Sequence, residues 1–157
     1  MRRRGQSGLT TVELLAAIGI VVVLVSAALP LKRWDEKRRR EEQLRGNLHM
    51  MREAIDQYHK ACEEGKIRET DVDQKKYPLD LDELVEGVDL IDPLTGLTHK
   101  ARFLQSIPVD PFTEEAEWGL RSYQDDWDSE SWGGENVYDV YCLFDGNALD
   151  GTYYKDW

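Results

Sequence analysis

Two sets of carboxylates stand out by where they lie. The first is a single residue, Glu13, the only ionisable side chain between Leu9 and Leu29. A carboxylate in an apolar helix costs on the order of 2.5–3.5 kcal/mol at the centre of a bilayer, so it either stays wet near an interface or finds a cation. A cut between Gly8 and Leu9 would create one, the new α-amino group. Glu13 is more than a helical turn from that amine, so the pairing falls between neighbouring copies and satisfies two buried charges together. The second set is Asp145-Gly146, Asp150-Gly151 and Asp156. Ca2+ takes about six to eight oxygen ligands, which aspartates on a glycine-turned loop can supply. On composition alone, an acidic turn without an ion is the simpler reading. No glycine-rich phosphate loop, His/Cys metal spacing or Ser-His-Asp order is present. Carboxylate pairs are too common at this acidity to mark a catalytic site, so the chain reads as a non-enzyme.

The elements that must position these groups follow from periodicity. Leu9 to Leu29 is an apolar run of twenty-one residues preceded by Arg2, Arg3 and Arg4. As a helix it is about 31 Å long, against a hydrocarbon core of about 30 Å. Everything after Leu31 is polar, so the expectation is a soluble head on a single membrane-inserting helix. Pro30 ends the apolar run without having to end the helix. Lys32 to Glu42 is charged all round and reads as a solvated helical connector. Leu44, Leu48, Met51, Ile55, Tyr58 and Cys62, spaced four, three, four, three, four, form one buried helical seam. Gly65 is the stop, and His49 and His59 read as surface residues.

Beyond it, 66–76 reads as loop, Asp80 as the cap of a short helix with Glu83 three residues on, and 87–100 as a second loop with Pro93 and Gly96 as turn residues. Phe103 to Phe112 is held extended by Pro108 and Pro111. Trp118 to Tyr123 reads as a strand, 125–136 as an acidic hairpin loop, and Asn136 to Leu143 as the clearest strand. Charge is uneven: Lys32 to Arg45 holds seven basic and four acidic residues, net +3, whereas Gly46 to Trp157 holds ten and twenty-six, net −16. An acidic head excludes nucleic acid as a partner. Cys62 and Cys142, the only cysteines, are either a disulfide of an oxidising compartment or two buried thiols.

A basic leader ending in Gly8, Leu9 after it, Glu13 fifth and Pro30 twenty-second after the cut resemble the signal of type IV pilins and type II secretion pseudopilins. Leu9 stands where the family has Phe, and Thr11-Val12 where it has Leu-Ile. Further along, Tyr77-Pro78, the stretch Leu104 to Phe112, and Tyr138 to Gly146 resemble the major pseudopilin of type II secretion. The resemblance implies a leader at 1–8 removed by a prepilin peptidase that methylates the new amine. It implies a transmembrane and assembly helix at 9–31, the helix continuing through 32–65, and a globular head at 66–157. The implied fold is α+β and pilin-like, a long N-terminal helix packed on a small antiparallel β-sheet with a C-terminal calcium-type loop.

Leu143 would add a main-chain carbonyl to Asp145, Asp150 and Asp156 around a structural Ca2+. Asn147 to Gly151 departs from the family's spacing there, which leaves Asp145 the best-founded ligand. The implied function is a structural subunit that polymerises with itself into a pseudopilus driving export of folded proteins, with minor pseudopilins and an inner-membrane assembly platform as partners. The implied location is the bacterial inner membrane, single-pass, head in the periplasm. Counting Lys and Arg beside the apolar run points the other way, to a cytoplasmic head; the cut-site spacing is the more specific signal. A minor or type IV pilin-like subunit, and a monomeric membrane-anchored calcium-binding module, are the alternatives.

Overall fold

The described residues of the computed structural model are 10–68, 74–92 and 94–157, without the side chains of 26–31. The chain divides into two compact units, Met1–Arg39 and Arg40–Trp157. One helix, α1 (Thr11–Glu63), accounts for the described part of the first and enters the second. The fold is α+β, a long N-terminal helix with small antiparallel sheets.

In the first unit α1 starts at Thr10, whose Oγ1 accepts from the Glu13 amide at 3.3 Å. Glu13 therefore occupies the third helical position, where a carboxylate meets the positive end of the helix dipole. From Val12 to Val25 the large apolar side chains are exposed. Pro30 lies inside the helix. Residues 32–39 carry two ion pairs one turn apart, Lys32–Glu36 at 3.6 Å and Asp35–Arg39 at 2.8 Å.

The expected location is corrected here. Among the described residues no helix is long and apolar enough to cross a membrane. The single-pass inner-membrane placement with a periplasmic head is withdrawn.

In the second unit the seam forms as its spacing predicts: Leu44, Leu48, Met51, Ile55, Tyr58 and Cys62 are all at most 7% exposed. They pack with Leu81, Leu84, Leu104, Trp118, Val137 and Val140 into one core. Gly65 ends the helix at φ +70°. Its amide donates to the Cys62 carbonyl and that of Lys66 to Ala61, a closure that needs the left-handed backbone glycine adopts freely.

Helix α2 (Leu81–Glu86) is capped by Asp80, whose side chain accepts from the Glu83 amide at 2.8 Å. Glu83 returns to the Leu79 amide (2.9 Å) and takes a third bond from the Tyr58 hydroxyl (2.8 Å), pinning α2 to α1.

The expected loop at 87–100 is instead a hairpin, β1 (Val88–Ile91) with β2 (Thr98–Ala101), Val88 opposite Ala101 and Ile91 opposite Thr98. Asp92 makes its turn, accepting from the Leu94 amide (3.0 Å) and the Thr95 hydroxyl (2.6 Å). The exposed β2 residues Thr98, His99 and Lys100 hide the apolar alternation that marks a strand.

The second sheet pairs β3 (Gly119–Arg121) with β4 (Asp139–Tyr141), Gly119 opposite Tyr141. A Cβ at Gly119 would overlap the Tyr141 ring. The strand expected over 136–143 is shorter, Asp139–Tyr141. The Val137 amide donates to the Pro78 carbonyl at 2.7 Å, and the Cys142 thiol donates to Asp110 at 2.9 Å.

Candidate functional site

Two features bear on function: the exposed apolar start of α1, and the C-terminal segment held against α1 in the second unit. In the first, the expected processing residues Gly8 and Leu9 lie outside the described residues. Glu13 is exposed and sits beside Thr10. The Thr10-x-x-Glu13 spacing is itself a helix-start signal that the sequence reading passed over.

The C-terminal segment is built on a stripe of α1 formed by Glu41, Arg45 and Arg52. Glu41, placed in the solvated connector, is buried. Its Oε1 accepts from the Leu149 amide at 2.8 Å and from the Tyr154 hydroxyl at 2.9 Å. Burial first and Glu41 second push the Tyr154 phenol well above its ordinary value. One turn on, Arg45 reaches Asp150 Oδ2 at 3.2 Å and lies over the Trp157 ring at 4.0 Å. Two turns further, Arg52 donates to Asp139 (2.7 Å) and to the carbonyls of Val140 (2.9 Å) and Trp157 (2.6 Å). Residues 41, 45 and 52 share the periodicity of the seam, which was the signal available in the sequence. Arg45, Leu48, His49, Arg52, Asp150, Thr152 and Trp157 line a cavity of about 420 Å³.

Asp150, one of the expected calcium ligands, is bonded within the protein. Among the described residues no three His, Cys, Asp or Glu side chains form a group that could hold a metal ion. Asp150 Oδ1 is taken by the Thr152 amide and hydroxyl, at 3.0 and 2.6 Å, and Oδ2 by Arg45. Those Thr152 bonds, with Arg45 beside them, hold the Asp150 carboxyl below the usual range. Leu143, Asp145 and Asp156 are exposed.

Opposite the tail, the Pro108-Val109-Asp110-Pro111 segment is fully bonded. The carbonyl of Pro108 accepts from the Trp118 indole (2.9 Å), that of Val109 from Asn47 (2.9 Å) and that of Pro111 from Arg40 (3.1 Å). Asp110, completely buried, accepts from the Phe112 amide at 2.7 Å and from the Cys142 thiol. Burial, then the bond to Asp110, pushes the Cys142 thiol up to about 12. Cys62 and Cys142 are both buried and are not joined by a disulfide. In comparisons with known proteins the chain matches no family model, curated protein or solved structure.

Proposed function

We propose that this chain is a pilin-like structural subunit, of the type II secretion pseudopilus kind, that polymerises through the N-terminal part of α1. The observation that carries the reading is the exposure of that part. Val12, Leu14, Leu15, Ile18, Ile20 and Val21 to Val25 are each at least 51% exposed. A helix apolar on all sides is stable in water only when something covers it. Copies of the same helix, bundled, would do so, and Glu13 would set their register against the amine of a processed neighbour. Partners follow from that: further copies of itself, a prepilin peptidase, minor pseudopilins and an assembly platform. A minor or type IV pilin-like role uses the same surface.

Mass spectrometry of the protein purified from cells tests the processing step. The expected N-terminus is a methylated Leu9; an intact Met1 removes the pilin class.

The bonds from Glu41, Arg45 and Arg52 hold the tail, and a structural Ca2+ at Asp145 would tie it down further. Adding a chelator is then expected to lower its melting temperature, and an unchanged melt removes the ion from the reading.

A further inference from the structure

The C-terminal segment contains two Asp-Gly steps, Asp145-Gly146 and Asp150-Gly151. Such a step has a chemistry of its own. The glycine amide nitrogen attacks Cγ of the neutral aspartyl carboxyl. A C–N bond forms, and the amide proton and the carboxyl hydroxyl leave as water, which closes a succinimide ring. Water then adds back at either ring carbonyl. One opening regenerates aspartate. The other leaves isoaspartate, with the main chain running through Cβ and longer by one methylene. Glycine permits the closure because no side chain restricts the approach of its nitrogen. Two things stop it: bonds that hold the carboxylate, and a bond that holds the glycine amide.

Asp150-Gly151 is stopped on both counts. Asp150 Oδ1 accepts from the Thr152 amide and hydroxyl, and Oδ2 accepts from Arg45. The Gly151 amide donates to the Ala148 carbonyl at 3.1 Å, and the Gly151 carbonyl accepts from the Asn147 side chain at 3.3 Å. Asp145-Gly146 has neither protection. Asp145 is exposed and Gly146 half-buried, outside any helix, strand or turn. Among the described residues, neither the Asp145 carboxylate nor the Gly146 amide takes part in a hydrogen bond or ion pair. Lys155, whose charge reaches Asp145, is itself bonded to Glu130 at 2.5 Å.

We infer that Asp145-Gly146 is a site of succinimide and isoaspartate formation in the folded protein, and that the fold protects Asp150-Gly151. The consequence falls on the tail. The Gly146 carbonyl accepts from the Tyr154 amide at 3.1 Å, and Asn147 is bridged to Tyr153. A methylene added just before Gly146 shifts both pairings out of register. Isoaspartate at position 145 therefore loosens the same segment that Glu41 holds through Leu149 and Tyr154. The inference does not depend on the filament reading.

The test incubates the full chain, folded, in heavy-oxygen water with a chelator present, which keeps Asp145 clear of metal ions. Each succinimide that reopens takes one oxygen from the solvent, so peptide mapping by mass spectrometry reads the rate at each step. Label at Asp145 should exceed label at Asp150 at least tenfold, because several bonds must open together before Asp150 reacts. The same chain unfolded in urea should label both at similar rates, which controls for the sequence. Arg45→Ala/Thr152→Val should raise the Asp150 rate several-fold and leave that of Asp145 unchanged, with unchanged melting as the control for folding. In the isoaspartyl fraction the Tyr154 and Ala148 amides should exchange hydrogen faster than in the unaltered chain. Equal label at the two steps of the folded chain, or more at Asp150, overturns the inference. So does a folded chain that stays unlabelled at Asp145 while the unfolded chain takes up label there.

Discussion

At the scale of single residues, the head depends on polar groups that are buried and fully bonded. Glu41 carries the C-terminal segment through the Leu149 amide and the Tyr154 hydroxyl. Removing a buried acceptor leaves its donors unpaired at about 1–3 kcal/mol each. Glu41→Ala should therefore cost about 2–4 kcal/mol in urea unfolding, and Glu41→Gln, which keeps an acceptor oxygen, much less. Equal effects of the two would mean that charge or packing, not the bonds, holds the segment.

Cys142 sets the alkaline limit. Its ordinary value of 9.0 is raised by burial to about 12, so the neutral thiol is favoured in the fold. The stability this gives is complete below pH 9, where the unfolded chain is also neutral. It drains away as pH rises from 9 towards 12, because the unfolded state loses its proton first. Tyr58 and Tyr154, raised mainly by burial, act in the same direction. The urea midpoint should hold from pH 7 to 8.5 and fall above 9; a midpoint level to pH 11 contradicts it.

At the scale of elements, what was legible is what is local. The six-residue seam of α1, the Gly65 stop and the Asp80 cap each declare themselves within a turn or two of sequence, and all three form. The hairpin at 88–101 was not legible, because three exposed polar residues on β2 blur its alternation and the turn chemistry of Asp92 lies between them and β1. The tail clamp was hidden for a different reason. Glu41 and Arg45 meet partners more than a hundred residues away, Tyr154 and Asp150, and a charged residue in a charged run looks solvated until its partner is known. The pairing of Asp150 with Arg45 was hidden in the same way, since the two lie more than a hundred residues apart.

At the scale of the whole molecule, the chain is unevenly covered. The head buries its own seam, while the apolar start of α1 stays open, and the charges of residues 32–39 and of 125–135 are opposite in sign. In the proposed polymer, copies of α1 would cover one another's apolar start. Cross-linking through that helix tests this most directly. A cysteine introduced at Ile18, 51% exposed in one copy, should under oxidation give a disulfide-linked dimer, the largest product one exposed thiol per copy can form while Cys62 and Cys142 stay buried, and Glu13→Ala should abolish it. Monomer alone from the Ile18→Cys chain, or a dimer indifferent to Glu13→Ala, would contradict assembly through the helix.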